Sequence, residues 1–132
     1  MSSRTSIVFA VFLGVSSSGG AVRVDTPETV MITFRPKSGA EQQLAAVIAD
    51  HWATARKMDL VQADPHVTVR LKDERGKPVF VDTFTWRDRD IPDNAPPAIL
   101  RIWSEMNRLT QARNGRPGLD IAEVTLIAPA SK

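Results

Sequence analysis

The chain has 132 residues, 42% of them hydrophobic and 24% charged, which fits one compact domain and excludes a wholly disordered chain. With no cysteine, disulfides, thiolate nucleophiles and cysteine metal sites are all ruled out. A net charge of +2 is too small to point to a polyanion.

Residues 1–21 hold a single charge, Arg4, ahead of the apolar run 7–15, and close on Gly19, Gly20 and Ala21. This is the layout of a secretory signal rather than of a buried first strand, and the run falls far short of the ~20 apolar residues of a membrane-spanning helix. Its removal leaves 111 residues and lowers the net charge by one. The expected product is periplasmic or secreted, with no stable membrane span. Residues 22–29 then read as a linker, 30–128 as the domain and 129–132 as a tail.

Within the domain, strand and helix periods alternate. A β-prone run from Val30 to Arg35 is broken by Pro36 and Gly39. Ser38 with Glu41 makes a capping-box pattern, after which Leu44, Val47, Ile48, His51, Trp52 and Ala55 recur at helical spacing. Asp64-Pro65 is expected to end that unit. Val67, Val69 and Leu71 then alternate with His66, Thr68 and Arg70, and the turn at 73–76 leads into a β-branched and aromatic stretch, 79–86. Asn94 is the expected N-cap of a second helix, whose stripe is Ile99, Ile102, Trp103, Met106 and Leu109. Gly115, Pro117 and Gly118 close it, and 119–128 forms the last strand, partly covered on both faces.

The order β-α-β-β-α-β is the ferredoxin-like arrangement, an α+β fold with a four-stranded antiparallel sheet and both helices on one face. Centring the hairpin on Arg75-Gly76 pairs Leu71 with Phe80, Val69 with Asp82 and Val67 with Phe84. Phe80, Phe84 and Trp86 would then share the helix-facing side with Val67, Val69 and Leu71. The other face would set Val79, Val81, Thr83 and Thr85 against Arg70, Thr68 and His66. That half-apolar face calls for a second copy of the sheet, hence a homodimer.

This order, with a strand ending Phe84-Thr85-Trp86 and a loop and helix after it, resembles the dimeric α/β-barrel superfamily, and within it the antibiotic biosynthesis monooxygenase-like domains. The resemblance spans roughly residues 28–128 and rests on Trp86 and the periodicity. It implies a dimeric barrel with a ligand held in each subunit between sheet and helices. Members of the family include cofactor-independent oxygenases of polycyclic aromatic substrates, haem-degrading enzymes and proteins without known activity. The chain departs from the haem-degrading pattern: it lacks the first-strand asparagine and the histidine in the helix after the tryptophan. It also has no tyrosine to match those of some monooxygenase sites. Only Trp86 carries over, as a pocket wall, and no cofactor is called for.

The residues themselves offer a candidate site. Asp82, between Phe80 and Phe84, faces the helices in an apolar setting that would raise its pKa. His51 lies on the first helix's apolar stripe beside Trp52. A carboxylate and an imidazole facing a cavity walled by Trp86, Trp52, Trp103 and Phe84 could transfer a proton. The competing reading makes Asp82 an edge-strand carboxylate, His51 a boundary histidine and the aromatics plain core. Asp88, Asp90 and Asp93 read as a solvated loop, and the two histidines, His51 and His66, form no metal motif. The stretch 75–82 begins like the third-strand motif of RNA-binding modules but lacks its stacking aromatics, so no nucleic-acid partner is expected.

Two function classes follow. The favoured one is an exported dimer that binds a small apolar or aromatic molecule or acts without a ligand. The alternative is a cofactor-independent monooxygenase-like or isomerase-like enzyme using Asp82, His51 and Trp86. An open cavity with Asp82 and His51 within reach of one point would favour catalysis.

Overall fold

The computed structural model describes residues 26–127; the signal-like segment 1–21 and the tail 129–132 lie outside them. The elements run β1 (Glu28–Phe34), α1 (Glu41–Lys57), β2 (Val61–Lys72), β3 (Pro78–Trp86), α2 (Pro97–Leu109) and β4 (Leu119–Glu123), with a 3-10 turn at Pro92–Asn94. The sheet is antiparallel, ordered β2-β3-β1-β4. This is the expected ferredoxin-like α+β fold.

Alternation along β1 sends Glu28, Val30, Ile32 and Phe34 inward. They meet Phe80, Phe84 and Trp86 of β3 and the stripes Leu44, Ile48, Ala55 and Ile99, Met106, Leu109 of the two helices. Fully burying each large apolar side chain contributes about 1.5–3 kcal/mol, so this layer carries most of the stability.

Local boundaries differ from the sequence expectation where a competing hydrogen bond wins. Ser38 does not cap α1. The N-cap is Ala40, without a side-chain bond, because a turn from Lys37 O to Ala40 N, with Gly39 at φ +81°, comes first. Asn94 does not cap α2 either. Its side-chain Nδ2 donates to the Asp90 carbonyl, and Pro96 takes the N-cap position ahead of Pro97. Asp64-Pro65 lies inside β2, in an irregular stretch between the pairs Val61–Trp86 and His66–Phe84, rather than ending the first helical unit. β4 stops at Glu123 and is exposed over most of its length.

The hairpin register is the largest correction. Leu71 pairs with Val79, Val69 with Val81 and Val67 with Thr83, while Arg70, Thr68 and His66 pair with Phe80, Asp82 and Phe84. The observed pairing is offset by one residue from the expected one, which exchanges the two faces of β2. The cause is the turn. Asp73 Oδ1 accepts from the backbone N–H of both Arg75 and Lys77, giving a five-residue loop centred on Arg75 alone. Val67, Val69 and Leu71 therefore stand on the face away from the helices, 53%, 45% and 43% exposed. His66, Thr68 and Arg70 are on the helix side.

Candidate ligand cleft and buried polar cluster

α1 covers β2 and β3, and α2 lies alongside it. Beneath α2 an open cleft of about 680 Å³ remains against β1 and β4. Val30, Ile32 and Ile121 form its floor, Leu100 and Trp103 come from α2, and Trp86 closes the inner end. The 89–95 loop supplies a polar rim, with Arg89, Asp90 and Asp93, and Glu28 joins from the start of β1. An apolar floor with few polar groups at the mouth is the usual build of a small-molecule site.

Of the sequence candidates, Trp86 and Trp103 line this cleft, whereas Trp52 and Phe84 do not. Phe84 is fully buried under α1, its ring 5.0 Å from Trp86 and 5.6 Å from His51. Trp52 stacks on His66 with ring centres 3.7 Å apart and planes 9° from parallel. Glu28 and Arg89 were missed by the sequence reading. The signal for Glu28 was present, since it continues the inward alternation of Val30, Ile32 and Phe34.

Asp82 and His51 are each placed in a polar arrangement of its own. Asp82 is fully buried on β3, an interior strand and not an edge. Its Oδ1 accepts from Thr68 Oγ1 at 2.6 Å and lies 3.0 Å from His66 Nε2. Oδ2 has no partner among the described residues. Burial raises the Asp82 pKa, and the Thr68 hydroxyl and the His66 ring pull it back. His66 is thus the partner of Asp82, which only the true register reveals.

His51 is 1% exposed and accepts the Trp103 indole N–H at Nε2, 2.9 Å away. An imidazole that accepts at Nε2 is neutral, with its proton on Nδ1. Burial agrees, pushing His51 down to about 4. Neither His51 nor Asp82 lines the cleft. His51 acts on it through the two tryptophans, holding the Trp103 indole N–H and packing edge-on against Trp86 with ring centres 6.0 Å apart.

Known structures share this architecture. The chain is similar to Rv0793 from Mycobacterium tuberculosis at 18% identity and a TM-score of 0.56, over 80% of this chain and 100% of that one. It is similar to SnoaB, a cofactor-independent oxygenase from Streptomyces nogalater, at 18% identity and a TM-score of 0.59 over 80% and 98% (N63A mutant). A dimeric ferredoxin-like protein from Jannaschia sp. matches at 20% identity and a TM-score of 0.53 over 76% and 100%. The fold is that of the antibiotic biosynthesis monooxygenase-like proteins. No protein-family model and no curated protein sequence matches the chain. At these identities the likeness speaks for the fold, and the chemistry must be argued from the cleft.

Proposed function

We propose that the protein is an exported, homodimeric binding module that holds a small apolar or aromatic molecule in the cleft between α2 and the sheet. The observation that carries this reading is the cleft itself, open, floored by Val30, Ile32 and Ile121 and walled by two tryptophans. Binding is favoured over catalysis because the two titratable candidates point elsewhere, Asp82 to His66 and Thr68 and His51 to Trp103.

Dimerisation through the open sheet face is supported by that face's composition. The corrected register sets the exposed Val67, Val69 and Leu71 beside a buried Val79 and a half-buried Val81, with Met31 of β1 exposed on the neighbouring strand. Such a surface is costly to leave in water, and a second sheet would cover it. The dimeric Jannaschia protein has the same fold. Export is proposed from the layout of residues 1–21.

Native mass spectrometry of protein recovered from the exporting host tests all three parts. The expected result is a dimer trimmed near residue 21 and carrying a non-covalent small molecule that Trp103→Ala no longer retains. A full-length chain in the cytosolic fraction would overturn export. A monomer at micromolar concentration would overturn the dimer. A cleft that neither retains nor takes up any apolar or aromatic compound would overturn the binding role.

A further inference from the structure

Resting on the reading of the cleft as a ligand site, we infer that His51 is its positioning residue: by accepting the Trp103 N–H it holds the tryptophan wall in place, and the cleft takes its ligand only while His51 Nε2 carries no proton. Trp103 and Leu100 are the α2 residues that line the cleft. The one polar group of Trp103, its indole N–H, is given to His51 Nε2 at 2.9 Å. Around that bond the rings of His51, Trp86 and Trp103 form a closed triangle, with centres 6.0, 6.2 and 6.3 Å apart. Trp86 meets the other two near a right angle, at 89° and 82°. One side of the triangle, the tryptophan pair, is the inner wall of the cleft. The third corner, His51, is 1% exposed and stands behind that wall.

The bond at that corner works in one protonation state only. A neutral imidazole with its proton on Nδ1 accepts at Nε2, whereas an imidazolium donates from both nitrogens. Protonated His51 would set one N–H against another, and the Trp103 indole would have to turn or lose its partner. In a close-packed layer such a turn moves the wall with it. The surroundings decide which state holds. β3 presents Phe84 and Trp86 to the ring, while its Asp82 is engaged with His66 and Thr68. α2 presents Trp103, its Glu105 being taken by Arg108. Asp50 on α1 favours the charged ring and His66 on β2 opposes it, but burial outweighs both and keeps His51 neutral down to about 4. Ligand occupancy and protonation of His51 therefore exclude one another. Acidification empties the cleft, and a bound ligand in turn holds the proton off.

Isothermal titration calorimetry with 4-phenylbutanol, which stays uncharged as the pH is lowered, tests this on the full mature protein. Wild-type affinity is expected to be about halved at a pH of about 4 and to be down about tenfold one unit lower, as the neutral fraction shrinks. His51→Gln keeps an acceptor without titrating, so its affinity should match the wild type's within about twofold at neutral pH and stay level on acidification. His51→Leu removes the acceptor and should bind about tenfold more weakly at neutral pH, which decides the question even where acid unfolds the chain. Trp103→Phe keeps a ring without the N–H, serves if the leucine variant does not fold, and is expected to lose the pH dependence. With no ligand present, the Trp103 indole resonance in nitrogen–proton NMR spectra should follow the titration of His51. Equal neutral-pH affinities for His51→Leu and the wild type, or a wild-type affinity that stays level while the far-UV spectrum remains native, would overturn the positioning role and leave the ligand site intact. An indole resonance indifferent to that titration would do the same. Failure of 4-phenylbutanol to bind the folded wild type at neutral pH would remove the ligand site, and the inference with it.

Discussion

The indole N–H of Trp103 on α2 donates to Nε2 of His51 on α1 at 2.9 Å, tying the two helices together through a part-buried polar bond. The contact fixes the wall of the cleft and forces the histidine to stay neutral. Its consequences are measurable.

His51 has a folded-state pKa of about 4 against an ordinary value of 6.5. Because the native state resists protonation, the associated stability is fully present above pH 6.5 and is lost as the pH falls through about 4. Over that interval the loss amounts to about 3 kcal/mol, at 1.36 kcal/mol per pKa unit. Asp82, with a raised pKa, contributes the opposite slope, gaining stability as it takes up a proton on acidification. His51→Gln keeps an acceptor for the indole but does not titrate. Denaturation followed across this range should show a shallower acid loss for His51→Gln than for the wild type. Parallel curves would refute the assignment.

Thr68 Oγ1 donates to a fully buried carboxylate, and a hydrogen bond to a charged group contributes about 1.5–3 kcal/mol. Thr68→Val leaves that buried oxygen without its hydroxyl donor and is expected to destabilise the protein by about 2 kcal/mol. In an Asp82→Asn background the same change should cost about half as much, because an amide oxygen accepts more weakly and can never carry a charge. A double-mutant cycle showing additive effects would mean that the hydroxyl does not support the carboxylate.

Gly118 lies against the backbone of Gln111, so that a β-carbon at 118 would stand 2.6 Å from the Gln111 nitrogen. Backbone cannot step aside as a side chain can. Gly118→Ala should cost about 1–3 kcal/mol, as overpacking does, and it should loosen the Arg35–Gly118 bond that leads into β4. An unchanged midpoint in urea would show that the segment before β4 gives way freely.

Val69 stands 45% exposed on the open sheet face, where a charged residue would be harmless in a monomer but buried in a dimer. Val69→Lys is expected to shift the protein to monomer in analytical ultracentrifugation, with little effect on the far-UV spectrum. The wild type should also show a Tm that rises with protein concentration. A variant that remains dimeric would place the interface elsewhere.

Element order was legible in the sequence because hydrophobic period is a local property. Leu44, Ile48 and Ala55 mark one buried helix stripe, and Ile99, Met106 and Leu109 the other, as expected from spacing alone. Phe80, Asp82, Phe84 and Trp86 also face inward as read, since a strand's own alternation decides which of its residues share a side. The helix caps were less legible. Ser38 and Asn94 are sound cap residues by type, but neighbouring turns took their positions.

What the sequence determined by itself was therefore the four-strand, two-helix order and the inward face of β3, with Asp82 between its aromatics; the burial of Asp82 and His51 does not follow from it, since an edge carboxylate and a boundary histidine fit the same pattern. What only the tertiary structure decided was which residues those two groups meet. The Asp73 carboxylate, by gathering two backbone N–H groups, set the hairpin loop at an odd number of residues and so reversed the faces of β2. That reversal brought His66 to Asp82 and exposed three aliphatic side chains on the open face. Strand periodicity has a repeat of two, so it defines two faces without saying which partner's face each will join. Helix docking is similarly long-range, and it left Trp103 with His51 and opened the cleft beneath α2.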